Sequence, residues 1–133
     1  MDQHYDLVAL GGGAGGLVAS LTAAGLGARV ALVEQASQPG GDCLFTGCVP
    51  SKSLIASAKL VHQLRTANRL GLDPGEPSFD FARVMERVES VIEQAGRRDR
   101  PDALRERGVE VVRARGRFIE PGVIEAGERR LRY

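Results

Sequence analysis

The feature that most constrains the fold is a glycine-rich run at residues 11–16, which follows a short apolar segment, residues 5–10. An apolar segment that ends in glycines is typical of a buried parallel strand entering a tight turn. Residues 14–26 then show helical spacing, and residues 29–34 form a second apolar segment. A strand, a helix and a strand in about thirty residues predict a right-handed βαβ unit. The predicted inner face of its helix consists of Leu17, Val18 and Leu21.

The glycines have the spacing G-x-G-x-x-G at positions 11, 13 and 16. In this context Gly11 permits the turn, Gly13 lets the backbone approach a pyrophosphate, and Gly16 allows the helix to pack closely on the strand. The helix N-terminus then favours phosphate. Glu34, 18 positions after Gly16 at the end of the second strand, can accept hydrogen bonds from ribose hydroxyls. The pattern indicates a dinucleotide site. It does not separate NAD from FAD, and a turn and glutamate that meet no ligand are the alternative.

The rest of the chain predicts two amphipathic helices followed by short strands. Residues 37–47 look irregular, and a helix is expected from Pro50 until Gly71 stops it. Asp80 can cap a second helix, and a short third helix is expected at residues 101–107. The apolar stripes are Leu54, Ala58, Val61 and Leu64, with Asn68, on the first helix, and Phe81, Val84, Val88, Val91, Ile92 and Ala95 on the second. Predicted strands at residues 109–112, 117–119, 123–125 and 129–133 form a β-meander, and no domain boundary is evident.

Composition narrows the class of protein. The 133 residues are 43% hydrophobic and 26% charged, with a net charge of +1, so nothing points to nucleic acid as a partner. No apolar run is long enough to span a membrane, and residues 1–6 lack the pattern of a signal peptide. We therefore expect a cytoplasmic protein without membrane contacts.

The two cysteines, Cys43 and Cys48, lie in a segment that favours redox chemistry. A zinc site needs four ligands, and His4 and His62 lie well outside this segment. Five residues of regular helix would separate the Cα atoms by roughly 8.5 Å, which exceeds the roughly 7 Å limit for a disulfide. The segment must therefore bend, and Gly47 is well placed for that.

Cys48 is predicted just ahead of a helix N-terminus, which favours the thiolate, and Lys52 follows one turn later. The alternative is that both cysteines are small buried apolar residues and that Lys52 is a solvated cation.

Residues 40–52, G-G-D-C-L-F-T-G-C-V-P-S-K, resemble the active-site segment of the pyridine nucleotide–disulfide oxidoreductases. In that family a G-x-G-x-x-G turn and a strand-end glutamate precede the segment in this order. The resemblance covers the whole chain. It implies an α/β fold: a Rossmann-like FAD-binding βαβ unit with a parallel sheet, two amphipathic helices and a C-terminal β-meander. Residues 1–133 would be the N-terminal part of an FAD domain, without the NAD(P) and dimerisation domains.

The resemblance also implies roles for individual residues. Cys43 matches the thiol that reacts with substrate, Cys48 the thiol beside the flavin, and Lys52 the lysine near the flavin ring. Family members more often carry Thr at the position of Asp42, and Asn and Val at those of Phe45 and Thr46. The implied FAD contacts are Gly11, Gly13, Ala14, Gly15 and Gly16 at the pyrophosphate, Glu34 and Gln35 at the ribose, Gly41 and Asp42 at the phosphate and ribityl chain, and Arg115 and Gly116 at the adenine.

The implied activity is electron transfer between NAD(P)H, FAD and a disulfide, dithiol or Hg²⁺ substrate, of the dihydrolipoamide dehydrogenase or mercuric reductase type. The resemblance also implies a homodimer for the full-length enzyme, in which the partner subunit supplies an acid–base histidine that neither His4 nor His62 matches. The chain alone is expected to be inactive. Two alternatives stay open: a non-catalytic nucleotide-binding module with structural cysteines, and metal transport or sensing by the cysteine pair.

Overall fold

A computed structural model of the chain describes residues 3–133 and, of Gln3, only the backbone. Met1 and Asp2, the start of the segment that lacks a signal-peptide pattern, lie outside the described residues. The strands are β1 (Gln3–His4), β2 (Leu7–Leu10), β3 (Val30–Glu34), β4 (Val109–Arg113), β5 (Gly116–Glu120), β6 (Val123–Ala126) and β7 (Arg129–Arg132). The helices are α1 (Ala14–Gly25), α2 (Gly41–Phe45), α3 (Cys48–Arg65), α4 (Phe81–Gly96) and α5 (Pro101–Glu106), with 3₁₀ turns at Ala67–Leu70 and Arg97–Asp99.

The predicted βαβ unit is present as β2, α1 and β3, and its strands are parallel. Val30 of β3 pairs with Leu7 of β2 on one side and with Val109 of β4 on the other. The sheet order is therefore β2-β3-β4 with all strands parallel. Residues 109–112, which we expected in the meander, instead complete this sheet, because α5 returns the chain beside β3.

Both faces of the parallel sheet are buried, as parallel sheets require. Side chains alternate along a strand, so Val30 and Leu32 of β3 point to one face and Ala31 and Val33 to the other. Val30 and Leu32 pack with Leu17 of α1 and with Leu104 of α5. The prediction that Val18 also faces inward is wrong: its side chain is 66% exposed, and the inner face of α1 uses Leu17 and Leu21.

A second, four-stranded sheet in the order β1-β7-β6-β5 covers the other face of the parallel sheet. The antiparallel pairs β5–β6 and β6–β7 confirm the predicted meander. Strand β1, which pairs parallel with β7, was not predicted because it comprises only two residues. Ala31 and Val33 meet Ala126 and Leu131 of this sheet in a common buried cluster.

The structure divides into two compact units, a division that the sequence did not indicate. The first comprises the chain up to Cys43 together with Gly96–Tyr133 and holds both sheets. The second, Leu44–Ala95, holds α3 and α4. Asp80 accepts a hydrogen bond from the Ala82 N–H at 2.8 Å, as expected for a cap of α4.

The first predicted amphipathic helix is shorter than expected. It ends at Arg65 rather than at Gly71, and a 3₁₀ turn follows. Gly71, with φ +75°, ends that 3₁₀ turn instead. Helix α2 was not predicted, since five residues are too few to show helical periodicity. Across residues 3–133, no helix is long and apolar enough to cross a membrane.

A hydrogen-bonded group ties the two sheets of the first unit together. The Tyr5 hydroxyl donates to Glu110 at 2.7 Å, and Arg129 on β7 donates to the other Glu110 oxygen at 2.8 Å. Burial raises the pKa of Glu110, but the hydrogen bonds from Tyr5 and Arg129 outweigh burial and hold this pKa below its ordinary value. Burial, together with the neighbouring Glu110, raises the pKa of Tyr5, so the phenol stays a donor.

The substitution Glu110→Gln should lower the free energy of unfolding at neutral pH by no more than about 1 kcal/mol, since the ion pair is partly exposed. A group whose pKa is lower in the folded state than in the unfolded chain stabilises the fold at pH values above its unfolded-state pKa. This stabilisation is lost as the pH falls through the folded-state pKa. The difference between the variant and the wild type should therefore shrink below about pH 4.5. Urea unfolding from about pH 7 to about pH 3 measures it.

Glu128→Gln is the matched control, because Glu128 is exposed in the turn beside Arg129 and outside the group. Its unfolding curve should follow the wild type at every pH. A constant offset between Glu110→Gln and the wild type across the whole range would contradict the assigned role of Glu110.

Candidate cofactor and redox site

The glycine run forms the turn between β2 and α1 and leaves the start of the helix open. Gly13 precedes α1, no side chain caps the helix, and its first turn holds no acidic residue. A Cβ atom at Gly13 or at Gly15 would meet nothing within 4 Å. At Gly16, by contrast, a Cβ atom would overlap the carbonyl oxygen of Gly11. Glycine at position 16 thus lets α1 approach the turn, and positions 13 and 15 leave space at the helix N-terminus where phosphate is favoured.

The carboxylate of Glu34 is fixed at the end of β3 by two backbone N–H groups. Gly12 donates to Oε2 at 2.7 Å, and Ala36 donates to Oε1 at 2.8 Å. Each carboxylate oxygen has a further lone pair, so both can still accept hydrogen bonds from hydroxyls. Gly12 was not among the predicted site residues. Its role comes from a contact 22 positions away in sequence, which the local glycine spacing does not reveal.

A cleft of about 290 Å³ lies beside Glu34 at the carboxyl edge of the parallel sheet. It forms because the carboxyl ends of neighbouring parallel strands meet at one edge. The chain from β4 to β5 is held there by the Ala114 N–H, which donates to the carbonyl of Glu34 at 3.0 Å. The structure thus brings five predicted contact residues to one cleft: Gly11, Glu34, Gln35, Arg115 and Gly116. Leu10, Val33 and Ala114 also line it and were not predicted.

The thiol-bearing segment begins directly against the glycine run. The Gly40 N–H donates to the carbonyl of Gly12 at 2.7 Å. Gly41 has φ +60°, and a Cβ atom there would lie 2.8 Å from the Cα of Gly13. Both the left-handed backbone and the close approach require glycine. Gly41 therefore opens α2 beside the proposed phosphate position, and Asp42 in the first turn of α2 is exposed.

The two cysteines lie on different helices and are present as thiols. Cys43 is partly buried on α2, and Cys48 is exposed as the first residue of α3. The chain leaves helical structure between Phe45 and Cys48, which confirms that the segment is not one regular helix. Pro50 is the third residue of α3, where its missing N–H costs nothing.

Lys52 is exposed four residues after Cys48, so both belong to the same side of α3. Phe45 is 42% exposed, and Thr46 is also exposed. In the part of the chain that the structure describes, no three His, Cys, Asp or Glu residues are grouped closely enough to hold a metal ion.

Several enzymes of known activity match this chain in sequence. The dihydrolipoyl dehydrogenase of Zymomonas mobilis is 45% identical over 91 residues, 68% of this chain and 19% of that protein. That of Bacillus subtilis is 42% identical over 94 residues, 71% of this chain and 20% of that protein. A soluble pyridine nucleotide transhydrogenase of Marinomonas is 36% identical over 124 residues, 92% of this chain and 26% of that protein. The chain therefore spans about a fifth to a quarter of these relatives.

The fold is also that of a solved enzyme. The HOCl-induced flavoprotein disulfide reductase RclA of Escherichia coli, solved as a Cu(II) complex, superposes with a TM-score of 0.71 at 24% identity. The match covers 98% of this chain and 26% of that one, and at this identity it shows the fold alone. The sequence profile of the pyridine nucleotide-disulphide oxidoreductases matches residues 5–133, almost the whole chain. The chain belongs to the pyridine nucleotide-disulphide oxidoreductase family.

Proposed function

We propose that this chain is the N-terminal part of the FAD-binding domain of a dihydrolipoyl dehydrogenase-type oxidoreductase, with Cys43 and Cys48 as its redox pair. One observation carries the proposal. The glycine turn, the fixed Glu34 and the start of the thiol segment all lie at the carboxyl edge of one parallel sheet. Ligands of open α/β sheets bind at that edge.

The residues at this edge fit FAD. The uncapped N-terminus of α1, where Gly13 and Gly15 leave open space, suits a pyrophosphate. Ala14, the first residue of α1, would contribute its backbone there. Glu34 and Gln35 at the cleft suit the adenosine ribose, while Arg115 and Gly116 border the space for adenine. Gly41 and Asp42 would adjoin the phosphate and ribityl chain.

Bound FAD would relay two electrons between a nicotinamide cofactor and the thiol pair. The chain itself supplies the dithiol. When a substrate dithiol is oxidised to its disulfide, the Cys43–Cys48 disulfide is reduced to two thiols, and two electrons and two protons are transferred. Cys43 forms the mixed disulfide with substrate, and its bond to Cys48 breaks. The N-terminus of α3 favours negative charge at Cys48, and Lys52 adds a positive charge nearby.

The curated relatives favour a dihydrolipoyl group as the substrate, because several named dihydrolipoyl dehydrogenases match this segment. Reduction of Hg²⁺ by the same pair is the second possibility within the family. Assembly as a homodimer and a cytoplasmic location stay predictions. The non-catalytic alternative is a nucleotide-binding module with structural cysteines, and thiol titration separates it from the redox proposal.

The substitution Gly13→Ala should weaken FAD binding without affecting the fold. A methyl group at this position meets no protein atom, and Gly13 has φ −73° and ψ −174°, a conformation that alanine adopts. The methyl would occupy the proposed pyrophosphate space. We expect the Kd for FAD, from quenching of flavin fluorescence, to rise by about tenfold or more.

Gly25→Ala is the matched control, since it adds the same methyl group to open space at the other end of α1. Its Kd for FAD should equal that of the wild type. Equal Kd values for Gly13→Ala and the wild type would contradict the assigned phosphate position, and absence of FAD binding by the wild type would refute the cofactor proposal.

Thiol titration tests the redox pair. After mild oxidation the unfolded wild-type chain should show almost no reactive thiol, and after reduction it should show both, because one disulfide joins Cys43 and Cys48. Cys48→Ser should show one thiol under either condition at low protein concentration.

The structural-cysteine alternative predicts a different pattern. In that case the wild type would keep two titratable thiols after the same oxidation. Each of the variants Cys43→Ser and Cys48→Ser would show one thiol on either hypothesis, so two thiols in the oxidised wild type are the outcome that excludes a redox pair.

A further inference from the structure

The middle glycine of the turn, Gly12, is hydrogen-bonded to two distant parts of the chain. Its N–H donates to Oε2 of Glu34 at 2.7 Å, and its carbonyl accepts from the Gly40 N–H at 2.7 Å. The first contact orients the carboxylate at the end of β3. The second holds the loop that leads from β3 into the thiol segment. One residue of the turn therefore fixes both the proposed ribose acceptor and the approach to Cys43.

The space beside Gly12 is filled by Pro39. A Cβ atom at position 12 would lie 2.7 Å from the Cβ of Pro39, where two carbon atoms overlap, and 3.1 Å from Oε2 of Glu34. Pro39 is itself fully buried, and its ring fixes its own φ. It therefore has little room to move away. Glycine at position 12 lets Pro39 and the carboxylate pack against the turn together.

The backbone from Pro39 to Cys43 is held at two points. These are the hydrogen bond of Gly40 to the turn and the close approach of Gly41 to Gly13. Cys43 is partly buried and belongs to the same compact unit as the glycine turn. A partly buried thiol reacts fastest with a reagent in solution when its segment opens locally. The contacts of the turn therefore control how often Cys43 becomes accessible.

We propose that Gly12 is a positioning residue that couples a nucleotide ribose at Glu34 to the reactivity of Cys43. The carboxylate is oriented for ribose hydroxyls while the Gly12 N–H holds it, and Gly12 in this position also holds Gly40. A ribose that binds there stabilises the closed position of residues 39–43, so the Cys43 thiol reacts more slowly. The coupling rests on the proposed ribose position at Glu34. It means that the adenosine end of the cofactor helps to set the position of the substrate thiol.

AMP is the probe of this coupling, because it carries the ribose but no flavin ring that could cover the thiol. The reduced Cys48→Ser chain keeps Cys43 as its one thiol. Iodoacetamide, a neutral reagent, should modify this thiol about tenfold more slowly when AMP is present at about ten times its Kd. Calorimetry supplies the Kd. At equal occupancy 2′,3′-dideoxy-AMP, which lacks the hydroxyls that Glu34 accepts, should slow the reaction far less.

Gly12→Ala, made in the same Cys48→Ser chain, should abolish the effect of AMP. The added methyl group displaces Pro39, so Cys43 should react faster without nucleotide. AMP at about ten times the Kd of this variant should then change the rate by less than about twofold. Gly25→Ala is the matched control, because its methyl group meets open space, and it should keep the tenfold slowing. A purely structural effect of Gly12→Ala would change the rate equally with and without AMP.

The reverse measurement keeps the coupling testable if circular dichroism shows that Gly12→Ala is unfolded. Coupling between two sites is reciprocal. The Cys48→Ser chain with iodoacetamide already attached to Cys43 should therefore bind AMP several-fold more weakly than the unmodified Cys48→Ser chain.

Several results would overturn the coupling, and they differ from those that would refute the cofactor site. AMP that binds without changing the rate at Cys43 would overturn the coupling and leave the cofactor site intact. Equal slowing by AMP in Gly12→Ala and its Cys48→Ser parent would remove Gly12 from the path, as would equal AMP affinity before and after modification of Cys43. No binding of AMP would overturn the coupling, and no binding of either AMP or FAD would refute the cofactor site as well.

Discussion

The close approach of α1 to the turn that precedes it is the contact on which the proposed site depends. The helix can begin over the edge of the parallel sheet only because Gly16 has no side chain to strike the carbonyl of Gly11. With α1 in this position, its uncapped N-terminus faces the carboxyl ends of β2 and β3. Leu17 on the inner side of the same helix then packs on Leu32. The placement of α1 therefore determines both the packing of the core and the geometry of the proposed site.

Three further contacts extend this arrangement from the glycine turn to the thiol segment. Gly12 fixes the Glu34 carboxylate, Gly40 donates to Gly12, and Gly41 lies against Gly13. Each contact involves a backbone group of the turn, so two hydrogen bonds and one close backbone approach connect the carboxyl edge of the parallel sheet to the start of α2. The proposed chemistry follows the same order, with FAD at the turn and Cys43 at the end of the segment that the turn supports.

Local sequence patterns predicted the elements whose signal is local. The βαβ unit followed from apolar runs around the glycines, and the break between the cysteines followed from the reach of a disulfide. Features set by distant partners were missed: β4 joins the parallel sheet through pairing with β3, and Gly12 binds Glu34 across 22 positions. Val18 was misplaced because a short apolar helix offers more inward-facing candidates than its single packed face accommodates. The apolar stripe of α3 was predicted correctly as a pattern, but periodicity does not tell whether such a stripe is buried: along α3, all of which the structure describes, only Ser53 is buried.

The central proposal for this protein is that a dinucleotide binds at the carboxyl edge of the parallel sheet. Backbone amide chemical shifts of the ¹⁵N-labelled chain, recorded during addition of FAD, test it most directly. We expect the largest changes at residues 11–16, at Glu34 and Gln35, and at Arg115 and Gly116, with small changes in α3 and α4. Largest changes within residues 54–84, or changes spread evenly over the chain, would contradict it.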